Sequence, residues 1–450
     1  MPKVPRSRIA RTAKFGSMVA GQGVRRLTAR SDERRGEWAM GAAEELVATL
    51  GQMKGAAMKL GQVLSTVDFD LVPEEHREEF KAKLAALRDQ SPQVAFKDMR
   101  RVVEQDTGEP LHRTFAEFDE QAIAAASIGQ VYRARTHDGR DVAVKVQYPG
   151  VAEAVETDLR NAGMLIPLVR RMAPGLDARA LLAELRDRIG EELDYELEAQ
   201  HQRAVARAFR GHPFVVIPQV DTSLSSRRML VSEYVPGTGF EAVKARPEAE
   251  RDRFAEICFR FFYGLLERER LVAGDPHPGN YLLADDGRVC FLDFGLMRKM
   301  DQAYLDAERA LARAVVAGDA AEVHRGLAEL GYLPDPDAFV PEDVLGQLQA
   351  AGEWYFTPGF RRLDPEFVRQ TMETSSSPRS AYFDQMRRQT IPPQALLLRR
   401  MEGLLFGVLG ELRAGGDWGT LALEYIAGAP PSTELGREEA AWLGEPVAAP

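Results

Sequence analysis

Three polar residues at fixed spacing stand out in the stretch Leu271–Leu296, LVAGDPHPGNYLLADDGRVCFLDFGL. Asp275 is followed five positions on by Asn280, and thirteen beyond that by Asp293, inside Asp293-Phe294-Gly295. Two carboxylates and a carboxamide offer hard oxygen atoms, the donors that Mg²⁺ prefers. The chemistry such a set serves is phosphoryl transfer, which is mostly positioning and charge neutralisation around a metal-bound nucleotide. On this reading Asn280 and Asp293 hold the metal, and Asp275 orients or deprotonates the acceptor. Asp-Phe-Gly alone is common by chance, so the weight comes from its context. Between Asn280 and Asp293 lie two short apolar runs joined at Asp285-Asp286-Gly287. Asp-Gly supplies the positive φ of a tight turn, which predicts a hairpin with Asp275 and Asn280 at its mouth and Asp293 at its far end.

Such a hairpin is the catalytic centre of a protein-kinase-like fold. The expected class is therefore α+β: bilobal, with an N-terminal helical extension and a helix-rich C-lobe. Upstream, AIAAASIGQVYRARTHDGRDVAVKVQYPG reads as a strand, a tight loop at Ala124-Ala125-Ala126-Ser127, a strand Gln130–Ala134, a turn at Asp138-Gly139 and a strand Asp141–Gln147. Lys145 on the last strand, after a small-residue loop, is placed to grip the α- and β-phosphates of ATP or ADP. A Gly-rich loop is usual there. Alanine Cβ atoms restrict the positive-φ conformations that build a phosphate nest, so the phosphates should be held differently.

Val151–Met172 and Ala178–Phe209 read as helices, the second carrying Glu192, Asp194 and Glu198. A Glu on this helix must pair with Lys145 to set the grip. Glu192 and Glu198 lie six apart and cannot share one face, and most of the surrounding charge reads as a solvated helix surface. Phe214–Val220 and Arg228–Val235 read as the last strands of the first lobe. Glu233-Tyr234-Val235, ahead of Pro236-Gly237, reads as a hinge whose backbone at Glu233 and Val235 would hydrogen-bond adenine. Arg251–Arg270 is helical, with Phe254, Ile257, Phe261 and Leu265 inward. From Met300 the chain reads as helical nearly to Tyr425, broken at Gly331, Pro334, Pro336, Pro358, Pro378 and Pro392-Pro393, and the Pro/Glu/Ala-rich tail after Pro430 as loose.

The N-terminal third is helical over Glu37–Ser65 and Pro73–Arg88, with a third helix opening at Ser91-Pro92 and running to about Asp106. Gly55 and Gly61 inside the first helix each cost about 1 kcal/mol against alanine. Their presence suggests close approach of another backbone or a ligand. Lys59 and Gln62, three apart, share a face. The expected divisions are a basic arm (1–36), a helical extension (37–110), a first lobe with inserted helices (111–235), a second lobe (236–430) and a tail (431–450).

The chain has 450 residues, enough for more than one core, and its 45% hydrophobic and 28% charged content is ordinary for a globular protein. A net charge of −10 argues against general nucleic-acid binding. Two cysteines, Cys258 and Cys290, exclude a disulfide framework and fit a reducing, cytoplasmic compartment. No apolar run reaches the roughly 18–20 residues that span a bilayer. Eight basic residues from Lys3 to Arg30 precede the first acid, Asp32. Such an arm suits a solvated segment, an organelle transit peptide or peripheral contact with an anionic membrane.

These motifs together resemble the UbiB/AarF family of atypical kinases, the coenzyme Q–associated proteins of bacteria, mitochondria and plastids. The likeness runs from about Leu46 to Gly295. It rests on Lys59-Leu60-Gly61-Gln62, the Ala-rich AAASIGQV, Val142–Lys145, Glu192-Leu193-Asp194, Glu198, Asp275–Asn280 and Asp293-Phe294-Gly295. The resemblance implies that N-terminal helices fold over the active site, placing Lys59 and Gln62 in the cleft where a protein kinase takes its peptide. It implies that Glu192 and Asp194 meet this block and that Glu198 pairs with Lys145. ATP or ADP with Mg²⁺ or Mn²⁺, ATPase or small-molecule kinase activity, and a role in isoprenoid-quinone or lipid metabolism are the implied functions. Many bacterial members end in paired transmembrane helices, which this chain lacks.

Two readings of the same nucleotide residues follow: an ATP-dependent enzyme with a small-molecule or lipid substrate, or an ATP-gated lipid- or protein-binding module. A conventional protein kinase fits less well. No Ala-Pro-Glu anchor follows Asp293-Phe294-Gly295, and Gly274 stands where a kinase has Arg before its catalytic Asp.

Overall fold

A computed structural model of the chain describes residues 94–126, 128–162, 186, 190–376 and 380–444. They form two compact units, one containing residues up to Ala199 together with Val220–Tyr234, the other Gln200–Gln219 and Val235 onward.

The first unit is an antiparallel sheet covered by a helix. Helix α1 (Phe96–Thr107) turns Met99, Val102 and Val103 inward and stops at Gly108, whose φ of 71° ends the helix. It does not open at Pro92. Val94 and Ala95 are non-helical, with the Val94 amide tied to the Gln130 side chain at 3.1 Å. Strands β1 (Glu117–Phe118), β2 (Ala124–Ala125), β3 (Gly129–Arg135) and β4 (Asp141–Gln147) follow. Alternation along β4 buries Val142, Val144 and Val146 and sends Lys145 to the opposite face. The expected loop at Ala124–Ala126 is in part a strand: β2 pairs with β3 in the register Ala124↔Val131 and Ala125↔Gln130. Helix α2 spans Val151–Ala162.

The long helix expected over 178–209 is interrupted. Leu193 and Asp194 are non-helical, and helix α3 (Tyr195–Ala208) starts afresh. Asp194 forces the restart, because its Oδ1 accepts hydrogen bonds from the Glu196 and Leu197 amides, both at 3.1 Å. The next strand, β5 (Val215–Val216), also departs from expectation. It joins the second unit by parallel pairing with the strand at Val289–Phe291, so only β6 (Met229–Glu233) completes the first sheet, beside β4.

The second unit is built around helix α4 (Glu248–Glu269), in which Phe254, Ile257, Cys258, Phe259, Phe261, Phe262 and Leu265 are all buried. The ends of α4 are charged, but from Phe254 to Leu266 every residue except Glu256 is buried, so the middle of the helix sits inside the core. Its small sheets contain β7 (Gly237–Gly239), β8 (Leu271–Ala273), β9 (Tyr281–Ala284), β10 (Val289–Phe291) and β11 (Met297–Lys299). The hairpin β9–β10 turns where the sequence places it, with Gly287 at φ 83°. Helices α5 (Gln302–Ala317), α6 (Ala320–Leu330), α7 (Leu396–Glu411) and α8 (Trp418–Ala427) dominate the remainder.

Two details there differ from a broken helical stretch with a loose end. Arg361–Arg362 and Gly415–Gly416 pair as a two-stranded ribbon, pinned by Asp252 through Arg362 at 2.9 Å and the Gly415 amide at 2.7 Å. The tail forms helix α9 (Glu434–Leu443), capped by Thr433 and docked by the buried carboxylate of Glu439. Among the described residues no helix is long and apolar enough to cross a membrane.

Candidate functional site

In the first unit the structure brings Lys145 and Glu198 together. The Lys145 Nζ lies 2.7 Å from Oε1 and 2.9 Å from Oε2 of Glu198, whose side chain is only 3% exposed. The Tyr195 ring lies 4.9 Å beneath the ammonium. Two carboxylate oxygens and a π-face hold the Lys145 head group, and its side chain stays 20% exposed. Gln147 anchors the lead-in to α3, donating to the Leu193 carbonyl at 2.9 Å.

Of the other expected residues here, Glu192 is half-buried at the end of the preceding helical turn, and Asp194 spends one carboxylate oxygen capping α3. Glu233 ends β6, and the Tyr234 amide donates to the Asp141 carbonyl at 3.0 Å. In the Ala-rich segment the Ile123 amide donates to Val131 and the Ala126 amide to Gly129, so these two N–H groups are committed to the sheet. Val235 begins the longer of the two stretches that make up the second unit. Lys59, Gln62 and Ser127, and the basic arm, lie outside the described residues.

In the second unit Asp275, Asn280 and Asp293 converge. The Gly274 amide donates to Leu296 at 2.8 Å where β8 leaves its partner β11, and the chain then turns through Pro278–Asn280. The Asn280 Nδ2 donates to the Asp275 carbonyl at 3.4 Å, leaving Oδ1 as an oxygen donor. The Leu292 amide donates to the Asn280 carbonyl at 3.0 Å, tying the two ends of the hairpin. Asp293 accepts from the Gly295 amide through Oδ1 at 2.9 Å. Phe294 is buried, and its carbonyl accepts a 3.0 Å hydrogen bond from Nδ1 of His201 on α3.

Three functional candidates here were not foreseen. Arg400 on α7 donates to the Asp275 carboxylate at 2.7 Å through Nη2 and to the Gly274 carbonyl at 2.9 Å through Nε. It arrives from 125 residues away, so no local spacing could reveal it. His201 carried a readable signal, standing three after Glu198 on one helix. Tyr281 did too, as a hydroxyl-bearing residue opening an otherwise apolar strand.

The donor set suits a divalent cation of the hard type. Asn280 and Asp293 each keep an oxygen, and among the described residues no cluster of three or more His, Cys, Asp or Glu forms a closed cage. Two protein ligands with the remainder from phosphate and water is the usual pattern for Mg²⁺.

A paired sheet lysine in one unit and an Asp/Asn/Asp hairpin in the other define a kinase-like α+β protein. The model of the ABC1 atypical kinase-like domain matches residues 86–327. The chain belongs to this ABC1/AarF family of atypical kinases. It is 31% identical over 364 residues to a Caenorhabditis elegans protein named atypical kinase coq-8, mitochondrial, covering 76% of this chain and 47% of that one. It is also 31% identical over 347 residues to the rat atypical kinase COQ8B, mitochondrial, covering 74% and 64%. The chain thus spans from about half to just under two thirds of these relatives' lengths. A solved structure, the complex of Rv3197 with erythromycin from Mycobacterium tuberculosis, superposes with a TM-score of 0.64 at 27% identity, covering 88% of this chain and 98% of that one.

Proposed function

We propose that the chain binds Mg²⁺–ATP or Mg²⁺–ADP and hydrolyses ATP or transfers its phosphoryl group to a small-molecule or lipid-linked acceptor. Lys145, set by Glu198, takes the α- and β-phosphates. Asn280 and Asp293 hold the metal, and Asp275 orients or deprotonates the acceptor. The observation that carries this reading is the Lys145–Glu198 pair. Placing a carboxylate at 3% exposure against an ammonium is a poor source of stability, since desolvation offsets much of the attraction. A pair kept at that cost, on a lysine whose side chain is still 20% exposed, fits a phosphate grip. The names of the relatives support a place in isoprenoid-quinone metabolism. The basic arm, the Lys59–Gln62 block and Glu192 belong to the same proposal, as an anionic-membrane contact and a guard of the acceptor entrance.

A second reading is an ATP-gated binding module with little turnover. It draws support from the solved relative's being a complex with erythromycin, a bulky small molecule. One experiment covers both: nucleotide affinity by thermal-shift titration and ATP hydrolysis by the full chain, with and without anionic liposomes, beside Asp293→Asn. Removing one formal charge from the metal site should abolish Mg²⁺-dependent binding. Unchanged Mg²⁺–ATP affinity in Asp293→Asn would sink the kinase-like reading. Binding that survives in the parent without turnover would favour the module.

A further inference from the structure

Tyr281 is the residue next to Asn280, and its side chain is enclosed. It is 2% exposed, and its ring packs among Phe240, Phe254, Phe262 and Phe291 with centroids 5.5–6.5 Å away. Its hydroxyl has no hydrogen-bond partner among the described residues. A buried hydroxyl left so is costly, and native proteins usually satisfy it. A tyrosine hydroxyl can donate as well as accept.

Tyr281 also lines a small cavity with Asp275, Asn280 and Asp293, walled by Phe261 and Leu296. The cavity gives the centre of a water molecule about 10 Å³ of room, close to what a single water needs. Asp275 gives Oδ1 to Arg400 and Asp293 gives Oδ1 to Gly295, which leaves Oδ2 of each without a hydrogen bond among the described residues. Tyr281, with its unpartnered hydroxyl, and Asp275 and Asp293, each with a carboxylate oxygen to spare, all line this one-water space, and a buried water usually takes two to four polar partners.

We propose that the Tyr281 hydroxyl holds one buried water against the carboxylates of Asp275 and Asp293, tying the Asp275 loop to the Asp293 turn. Tyr281 is then a positioning residue: it touches no substrate and acts through the two aspartates. The water stands on geometry alone, whereas its part in turnover rests on the proposed function.

The test uses the full chain and Tyr281→Phe, which removes one oxygen and keeps the ring. A crystal structure of the parent should show density within hydrogen-bond distance of Tyr281 Oη and of at least one of the two carboxylates. Loss of the hydroxyl then strands the water and lowers Tm by about 2–4 °C. An empty cavity, a metal ion in that density, or a variant Tm equal to or above the parent's overturns the water site, because removing a truly orphaned hydroxyl is neutral or stabilising. For the positioning role, kcat for ATP turnover should fall about tenfold with KM for Mg²⁺–ATP unchanged. Parental kcat, or a loss carried by KM, overturns that role. If the parent neither binds nor turns over ATP, the functional reading fails, while density and Tm still decide the water.

Discussion

Asp275 owes its setting to a helix far along the chain. In a protein kinase the residue before the catalytic Asp is Arg; here it is Gly274, and a Cβ there would come within 2.1 Å of Leu397 Cδ1 on α7. The same helix that requires glycine at 274 returns a guanidinium three residues later, through Arg400. That guanidinium makes one bond to the loop backbone and one to the carboxylate, so it sets position as well as charge. Arg400→Ala should lower kcat by about 10–100-fold and leave Mg²⁺–ATP affinity near parental, because misplacement of about 1 Å can cost that much. Arg400→Lys should recover only part, since a lysine offers a point charge without the fork. Steady-state kinetics beside a binding titration decides it, and parental kcat in Arg400→Ala would remove the role. Stability should change little, because both partners are a quarter or more exposed and such pairs contribute up to about 1 kcal/mol.

At the scale of elements, local chemistry was legible and distant partners were not. The β9–β10 hairpin follows from Asp286-Gly287 between apolar runs, and the inward face of α4 from its spacing. The register of β3 against β4 places Val131 opposite Lys145, as two strands either side of Asp138-Gly139 require. What failed depended on contacts the sequence does not display. Val215–Val216 is apolar and β-branched, which says strand but not which sheet. The tail after Pro430 is rich in Pro, Glu and Ala, yet its helix is secured by a carboxylate whose arginine partners lie on α4. The break at Asp194 was readable in principle, because Asp two residues before Glu196 is a helix-start signal that the surrounding charge concealed. Asp194 is thus the element-scale support of Glu198. Asp194→Ala should destabilise the start of α3 by about 1 kcal/mol and weaken nucleotide binding without touching the metal ligands. Hydrogen exchange across 195–199, read beside nucleotide affinity, checks it. Faster exchange with unchanged affinity would separate the cap from the phosphate grip, and unchanged exchange would deny the cap.

On the scale of the whole chain, the end of the sequence should be its acid-labile part. Glu439 on α9 is 6% exposed and receives hydrogen bonds from Arg268 at 2.8 Å and Arg260 at 3.3 Å, with His212 at 3.4 Å. Burial pushes its carboxyl up, but the His212 hydrogen bond and the two guanidinium groups win and hold it at about 2. His212 is held below its ordinary value by burial, against the pull of Glu439. Its Nδ1 accepts the Val215 amide at 3.2 Å, so neutral imidazole donates from Nε2 to Glu439. Both groups bind protons more readily unfolded than folded, so both signs agree and acid destabilises. The His212 share is present above pH 6.5 and begins to be lost as the pH falls below it. The Glu439 share, worth ~3 kcal/mol from its displacement, is lost between about pH 5 and 2. Hydrogen exchange over 434–443 should therefore accelerate below pH 6.5 and steeply below about pH 5, after correction for intrinsic rates, while peptides of β3 and β4 stay protected. Glu439→Gln should exchange faster at pH 7 and lose the steep lower phase, leaving only the part due to His212. A variant that keeps the parental steep phase would show that some other carboxylate governs the docking of this helix.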